Sequence, residues 1–267
     1  MTPRLDAAVA ARGLARSRTH AAQLIESGLV SVDGRPVVKT STKVSDDEVI
    51  TVAASDHYVS RAAHKLIAAL DAFQVDVTGR VALDLGASTG GFTQVLRERG
   101  ADPVIAVDVG HGQLAAQIAA DPGVIAVEGF NVRFMTGAAL AEVSGVTAPP
   151  SLVTGDLSFI SLALVLPAIV ATADSTADIV LLIKPQFEVG RTGVREGLVL
   201  DGGLRADAVS AVLWSAWDAG LGTVGLIASP IVGTRGNHEY VAHFRRSTGE
   251  VGNPTHWRAR VDELARS

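Results

Sequence analysis

The sequence contains no cysteine, which excludes disulfide bonds, iron–sulfur clusters, thiolate zinc sites and cysteine nucleophiles. Aromatic residues make up only 4% of the chain, so valine, leucine, isoleucine and alanine must fill the core. The histidines show no metal-ligand spacing, so we predict no bound metal. No apolar run approaches the ~20 residues of a membrane-spanning helix, and no signal peptide is recognisable. We therefore expect a cytoplasmic protein that does not enter membranes.

Charge is distributed unevenly along the chain. Residues 1–45 carry a net charge of +4, whereas the whole chain carries −5, so the remainder carries −9. A basic segment attached to an acidic body is typical of a segment that contacts nucleic acid. An ordinary solvated surface would give the same count, so charge alone does not decide between the two interpretations.

The hydrophobic pattern divides the chain into two parts. The first part is predicted as two short helices followed by strands that turn at Asp33-Gly34, which is a hairpin signal. From residue 58 onward, apolar strands alternate with helices, as in a parallel sheet covered on both faces. We predict a small N-terminal α+β domain over residues 1–55, a linker over residues 56–61, and an α/β domain over residues 62–267. The larger domain is predicted to be Rossmann-like, with a seven-stranded, mostly parallel sheet.

A glycine-rich turn follows the first strand of the larger domain. The segment 81–92 reads VALDLGASTGGF, so a buried strand leads through the turn into a helix. Such turns lie at the carboxyl ends of the strands, where these folds bind nucleotides. A dinucleotide fingerprint needs glycine where Ser88 stands, and the Asp84 carboxylate would repel a pyrophosphate. The turn therefore favours S-adenosylmethionine over NAD, with Asp84 facing its cationic amino-acid end through water.

The residues predicted to bind this cofactor follow successive strands. Asp108 ends the second strand, where an acid can accept hydrogen bonds from ribose hydroxyls, and Asn131 follows the third strand and could reach the adenine. The alternative is that the glycines only shape a turn. That interpretation does not explain why a strand, the turn, a helix and then a second acidic residue, Asp108, follow one another along the chain. The full predicted set is Asp84, Gly86, Ala87, Ser88, Thr89, Gly90, Gly91, Phe92, Asp108, Val109, Asn131 and Asp156.

Four ionisable residues form a candidate catalytic group. Lys65 lies on the helix before the first strand, and Asp156, Lys184 and Glu239 lie at strand ends on the side of the glycine-rich turn. A hydroxyl is a weak acid, so methyl transfer to it needs a base. We predict Lys184 as that base, because burial and the nearby Lys65 would favour its neutral form. The alternative interpretation is two ordinary ion pairs across the end of the sheet.

The order of these four residues resembles the tetrad of the FtsJ/RrmJ ribose 2′-O-methyltransferases. The segments 60–66 (SRAAHKL), 84–92, 108–114 (DVGHGQL), 156–161 (DLSFIS) and 184–188 (KPQFE) together resemble the TlyA family, also called haemolysin A. The resemblance covers essentially the whole chain. It implies an N-terminal S4 RNA-binding domain, S-adenosylmethionine as the cofactor, and 2′-O-methylation of cytidine in ribosomal RNA. The extended ends resemble the longer family members, which act on both 16S and 23S rRNA.

The resemblance implies ribosomal RNA or ribosomal subunits as partners. In the linker, Asp56 stands where the family often has arginine, which leaves the coupling between the two domains open. Competing functions are an NAD-dependent oxidoreductase, a membrane-active haemolysin-type protein and an RNA-binding module on an inactive scaffold. The sequence does not fix the oligomeric state, and we expect a monomer. The residues predicted to bind RNA are Arg4, Arg16, Arg18, Arg35, Lys39, Lys43 and Arg61.

Overall fold

A computed structural model describes residues 2–15, 17–26, 28–52, 57–190, 193–233, 236–249 and 252–266. Two residues singled out above, Arg16 and Asp56, lie outside the described residues. Within the described ranges, no helix has both the length and the apolar character needed to cross a lipid bilayer.

The N-terminal unit packs two helices against a small antiparallel sheet. The helices are α1 (Leu5–Ala11) and α2 (Arg18–Glu26). In the sheet, β1 (Val30–Val32) lies between β2 (Arg35–Pro36) and β3 (Ile50–Val52). Apolar side chains from both helices and from the sheet form one buried cluster, so the unit has a core of its own.

Local signals in the sequence place the turns of this unit. Ser17 precedes α2, and its hydroxyl accepts a hydrogen bond from the backbone N–H of His20 at 3.0 Å, as an N-cap residue does. The hairpin turn has positive φ at both central residues, 47° at Asp33 and 76° at Gly34. A two-residue hairpin of type I′ requires this geometry, so the predicted turn is present.

The larger unit is built on a seven-stranded sheet with the strand order β6-β5-β4-β7-β8-β10-β9. Strand β10 is antiparallel to both of its neighbours, and the other strand pairs are parallel. The predicted Rossmann-like, mostly parallel sheet is therefore confirmed. The strands are β4 (Ala82–Leu85), β5 (Val104–Val107), β6 (Val124–Val127), β7 (Leu152–Gly155), β8 (Asp178–Ile183), β9 (Leu221–Ala228) and β10 (Tyr240–Arg246).

Helices cover both faces of this sheet. Leu83 and Leu181 point into one apolar cluster, and Ala82 and Leu182 point into another. Burial on both faces explains why the strands are almost continuously apolar. The helices are α3 (Ala62–Phe73), α4 (Gly91–Glu98), α5 (Ala116–Ala119), α6 (Gly137–Ser144), α7 (Leu166–Thr172), α8 (Pro185–Glu188), α9 (Gly202–Asp218) and α10 (Arg258–Arg266), and short 3-10 turns span Val132–Phe134, Leu162–Leu164 and Pro254–Trp257.

Some helix boundaries differ from the hydrophobic pattern. The pattern favours a helix over 112–120, but only Ala116–Ala119 is helical. Helix α6 was not predicted, although the sequence holds its caps. The Thr136 hydroxyl accepts a hydrogen bond from the Ala139 N–H at 3.1 Å, and Gly145 ends the helix with a positive φ.

Candidate active site

Strand register brings the four candidate catalytic residues to one edge of the sheet. Tyr240 of β10 pairs with Ile183 of β8, so the flanking residues Glu239 and Lys184 are neighbours. In the same way, Leu85 of β4 pairs with Gly155 of β7. Strand β4 continues into the glycine-rich turn and β7 continues into Asp156, so these two features are also neighbours. Helix α3 crosses this edge and supplies Lys65.

The four side chains form a continuous series of ion pairs. Lys65 Nζ lies 2.5 Å from Glu239 Oε2 and 3.8 Å from Asp156 Oδ2. Lys184 Nζ lies 2.5 Å from Asp156 Oδ1 and donates a hydrogen bond to the Ser158 hydroxyl at 2.8 Å. Lys65, Lys184 and Glu239 are 5%, 8% and 4% exposed, so the pairs are largely removed from bulk water.

Two lysines flank the single carboxylate of Asp156. Burial on its own would raise the pKa of Asp156, but the charges of Lys65 and Lys184 outweigh it and the pKa lies below the ordinary value. Asp156 is therefore ionised at neutral pH. A fixed carboxylate between two amines can orient both of them.

A cavity of about 510 Å³ opens beside this group. Six of the residues predicted to bind the cofactor line it: Gly86, Ser88, Asp108, Val109, Asn131 and Asp156. Gly86 has a φ of +77°, and a Cβ there would lie 3.1 Å from the Asp156 carbonyl oxygen, so the turn passes too close to β7 for a larger residue. The volume lies within the range of small-molecule and cofactor sites.

A smaller cavity of about 210 Å³ contains the ion-paired group. The structure thus brings together the glycine-rich turn and the four candidate catalytic residues, which are far apart in sequence. Three further predicted cofactor residues, Ala87, Gly91 and Phe92, line this cavity, and it shares Gly86, Ser88 and Asp156 with the larger one.

The polar groups of the larger cavity are held by the backbone. Asp108 accepts hydrogen bonds from the N–H groups of Ser88 (2.9 Å) and Gly110 (2.7 Å), so one carboxylate ties the turn to the loop after β5. The Asn131 side-chain oxygen accepts from the Arg133 N–H at 3.0 Å. These bonds fix the cavity wall.

Three predicted cofactor residues do not reach either cavity. Asp84 is 0% exposed, and its oxygens accept hydrogen bonds from the hydroxyls of Thr93 (2.7 Å) and Thr154 (3.1 Å). Burial raises its pKa to about 7. Its carboxyl group therefore braces β4, α4 and β7 from beneath the turn, and the water-mediated contact with the cofactor stays a prediction. Thr89 and Gly90 also lie outside the cavity linings.

Basic residues of the N-terminal unit occupy two settings. Arg35, Lys39 and Lys43 are exposed. Arg4 and Arg18 both pair with the buried carboxylate of Asp6, with Nε–oxygen distances of 3.2 and 3.0 Å. Their guanidinium groups are still partly exposed, at 42% and 59%, so Asp6 anchors them without enclosing them.

Arg61 has a different environment from the other predicted RNA-binding residues. It lines the 210 Å³ cavity together with Lys65 and Glu239. A Cβ on Gly28 of the N-terminal unit would lie 2.6 Å from its Nη1 atom. Burial lowers the pKa of Arg61, while Glu239 and Asp156 partly offset this effect. Arg61 therefore lies between the N-terminal unit and the catalytic group, and its contact with RNA stays a prediction.

Three residues around the cavities were not predicted. Ser158 contacts Lys184, and its position two residues after Asp156 is the signal that could have revealed it. The Gln113 amide oxygen accepts a hydrogen bond from the Ser88 hydroxyl at 3.3 Å. Gln186 lines a third cavity. No group of three or more His, Asp or Glu side chains in the described part of the chain could hold a metal ion.

A Rossmann-like sheet with a glycine-rich turn and a cavity at the carboxyl ends of its strands is the arrangement in which α/β enzymes bind nucleotide-like cofactors. Residues 58–246 match the family described as FtsJ-like methyltransferase, and residues 3–50 match the S4 domain. The chain belongs to the FtsJ-like methyltransferase family. The resemblance predicted from the motifs is therefore confirmed.

Two relatives and one solved structure show the extent of the similarity. The chain is 50% identical over 248 residues to the "16S/23S rRNA (cytidine-2′-O)-methyltransferase TlyA" of Mycobacterium tuberculosis, covering 92% of this chain and 90% of the relative. It is 38% identical to "Hemolysin A" of Brachyspira hyodysenteriae, covering 90% and 99%. A solved structure from Streptococcus thermophilus that carries a hemolysin name has a TM-score of 0.76 at 33% identity, covering 99% of this chain and 96% of that one.

Proposed function

We propose that this protein transfers a methyl group from S-adenosylmethionine to the ribose 2′-hydroxyl of cytidine in ribosomal RNA, in both 16S and 23S rRNA. The observation that carries the proposal is the ion-paired series Lys65–Glu239 and Asp156–Lys184 beside the 510 Å³ cavity. The name of the 50%-identical relative, which specifies cytidine-2′-O-methylation of 16S and 23S rRNA, supports the same acceptor.

The residues of the larger cavity suit this cofactor. Gly86 and Ser88 of the glycine-rich turn line this cavity. Asp108 and Asn131 would face the ribose and the adenine, as their positions after β5 and β6 suggest. When bound, the cofactor supplies an activated methyl group, so the protein has only to position the acceptor and remove its proton.

Lys184 is the proposed general base. In its neutral form, its Nζ atom would accept the proton of the 2′-hydroxyl as the oxygen attacks the methyl carbon. Asp156 holds Nζ at 2.5 Å and Ser158 holds it at 2.8 Å, so the amine has a defined position. Lys65, paired with Glu239 at 2.5 Å, lies 3.8 Å from Asp156 and helps to hold that carboxylate in place.

The N-terminal unit would deliver the RNA. We propose an S4 domain over residues 1–55, a linker over 56–61 and a methyltransferase domain over 62–267. The exposed side chains of Arg35, Lys39 and Lys43, and the anchored pair Arg4 and Arg18, would contact phosphates. Such contacts position RNA without reading its sequence. An enzyme that modifies ribosomal RNA would act in the cytoplasm, and we still expect a monomer.

An exposed aromatic ring lies at the mouth of the cavity. Phe159 is 91% exposed and has a positive φ of 64°, which a bulky residue seldom adopts without a functional reason. Its ring centroid lies 5.2 Å from that of Phe187. We propose that Phe159 stacks on the target base after the nucleotide has been turned out of its helix.

The proposal is tested by incubating the full-length protein with radiolabelled S-adenosylmethionine and unmodified small and large ribosomal subunits, with Lys184→Ala as the control variant. We expect label in the RNA of both subunits with the wild type and loss of label with the variant. Nuclease digestion should place the label on the ribose of cytidine.

Other outcomes separate the alternatives. Label in large-subunit RNA alone would keep the enzyme class and remove 16S rRNA as a substrate. No label in either RNA, despite measurable cofactor binding, would reject the RNA assignment. Leakage of dye from liposomes exposed to pure protein would favour the membrane-active alternative, and tight binding of NAD would favour the oxidoreductase; we expect neither.

A further inference from the structure

A third cavity adjoins the catalytic group on the side of α8. It measures about 480 Å³. It shares Lys184 and Glu239 with the 210 Å³ cavity, and Ser158 and Phe159 with the 510 Å³ cavity, so the proposed base stands at its border. A nucleoside in this space would present its ribose to Lys184 from the side away from the glycine-rich turn.

The polar groups that shape this cavity are mostly satisfied within the protein. Asn237 donates to the Gly197 carbonyl at 2.8 Å and accepts from the Val199 N–H at 3.1 Å, which fixes one wall. The amide oxygen and the amide nitrogen of Asn237 therefore each have a partner within the protein.

Gln186 is different. It lines the cavity, and its buried side-chain oxygen has no hydrogen-bond partner among the described residues. A buried acceptor without a donor is destabilising, and such a group in a native structure calls for an explanation. The oxygen is covered by the protein, so it would gain a partner if the side chain turned toward the cavity and met a ligand that carries a donor.

We propose that Gln186 selects cytidine over uridine, by accepting a hydrogen bond from the 4-amino group of the target base in this cavity. This inference rests on the proposed function. The 4-amino group is the donor on the pairing edge of cytosine, whereas uracil places a carbonyl oxygen there, which would face the amide oxygen as a second acceptor. A polar site that is left unpaired rejects the wrong ligand strongly.

The chain geometry supports a base at Gln186 and a ribose at Lys184. Only Pro185 separates the two residues, and the fixed φ of proline limits their relative movement. Phe187 follows directly, and its ring packs against Phe159 at a centroid distance of 5.2 Å. Proteins commonly hold a flipped-out base by stacking it on aromatic side chains and forming hydrogen bonds from polar side chains to its pairing edge.

The test compares cytidine and uridine at the same position of the intact substrate. The methylated nucleotide is first mapped with the wild type, and subunits are then assembled with uridine in its place. Single-turnover methylation of both subunits is measured for the wild type, Gln186→Leu, Gln186→Glu and Gln117→Leu, which makes the same change at an exposed glutamine of α5. Cofactor affinity is measured for each protein to verify that the fold is intact.

We expect the wild type to prefer cytidine by ~100-fold, since hydrogen-bonding sites discriminate by this much or more. Gln186→Leu should lower the cytidine rate about 10- to 100-fold and bring the two substrates within about 3-fold of each other. Gln186→Glu keeps an acceptor at this position, so it should retain the preference. Gln117→Leu should behave as the wild type, and cofactor affinity should change less than about 2-fold throughout.

Three results would overturn the inference while leaving the proposed function intact. They are equal use of both substrates by the wild type, an unchanged preference in Gln186→Leu, and loss of preference in Gln186→Glu as complete as in Gln186→Leu. If the amide group of Gln186 rotates by 180°, its NH₂ group could donate a hydrogen bond to the carbonyl oxygen of uracil. Equal use of both substrates by the wild type would reveal such a rotation. Failure of the wild type to methylate either subunit would instead reject the proposed function, and this inference with it.

Discussion

The two ends of the seven-stranded sheet each bury a cluster of charged side chains, and of these two clusters only the one at the carboxyl end of β7 lines any of the three cavities described above. At the carboxyl end of β7, Asp156 lies between Lys65 and Lys184. At the opposite end, the Asp178 carboxylate, which begins β8, contacts His243, Arg245 and Arg80, each at 2.6 Å. Both ends place one aspartate among several cations.

Charge state does not distinguish the two aspartates. For each, burial alone would raise the pKa, and the neighbouring cations outweigh burial and lower it. Access distinguishes them instead. Asp156 lines the two cavities that meet at the glycine-rich turn, whereas Asp178 lines none of the three cavities described above. A buried ion cluster is thus a functional candidate only where a ligand can reach it.

The largest expected effect is on the rate of methyl transfer, which should depend on the aspartate at one end of the sheet and not on the aspartate at the other. Asp156→Asn should lower methyl transfer per folded molecule by about 10²- to 10⁴-fold, because Lys184 loses the carboxylate that orients it. The same substitution at Asp178 should leave the activity per folded molecule within about 3-fold of the wild type. Single-turnover assays normalised to the folded fraction measure both variants. Equal losses at the two ends would contradict the comparison.

The next effect concerns stability. Asp178→Asn should lower the free energy of unfolding by about 3 kcal/mol, because Arg80 and Arg245 lose their shared counter-charge. The pKa of Asp178 is lower in the folded protein, so this contribution is present above about pH 4 and is lost as the pH falls further. Urea unfolding at pH 7 and at a series of pH values below 4 checks both statements. A difference between the two proteins that does not shrink as the pH falls through this series would argue against the ionic origin.

Asp84 should show the opposite pH dependence. Its pKa is raised from 3.8 to about 7 in the folded protein, so folding favours the protonated form. Its stabilising effect is therefore complete below about pH 4 and is lost as the pH rises through 7. Relative to Asp84→Asn, which stays neutral, the wild type should lose at most ~4 kcal/mol between pH 4 and 8, at about 1.4 kcal/mol per pKa unit. Unfolding curves that run parallel over this range would show that Asp84 is not protonated.

The smallest effects on RNA binding are expected for exposed lysines that lie at neither end of the seven-stranded sheet. Lys39→Ala and Lys43→Ala should each weaken RNA binding only about 2- to 5-fold and reduce the salt dependence by about one counterion, because exposed cations act through phosphate contacts. Filter binding at several salt concentrations checks this expectation. Arg80→Ala is a control at the far end of the sheet and should leave the salt dependence unchanged.

Much of the fold and the four-residue group could be predicted from the sequence, because the signals are local. A polar residue or a glycine directly after an apolar run marks the end of a strand, as at Gly86, Asp156 and Lys184-Pro185. Parallel strands place their carboxyl ends on one edge of the sheet. The domain order and the hairpin at Asp33-Gly34 also follow from short segments.

Other features depend on contacts that no local pattern records. Asp84 has the position of a cofactor ligand, but the hydroxyls of Thr93 and Thr154 hold its side chain inward. Arg61 has the composition of an RNA contact, but it packs near Gly28 and the catalytic group. The unpaired oxygen of Gln186 is defined only by the absence of a neighbouring donor among the described residues.

The sequence by itself determined the class of the protein, its two-part organisation and the residues proposed to carry its chemistry, since residue type and spacing along the chain specify strands, turns and motifs. Only the tertiary structure decided which charged cluster adjoins a cavity, which carboxyl group is turned inward and where an acceptor lacks a partner. The physical reason is that burial and hydrogen bonding depend on distances across the sheet. Residues such as Lys65 and Glu239, 174 positions apart, come within 2.5 Å only after the chain has folded.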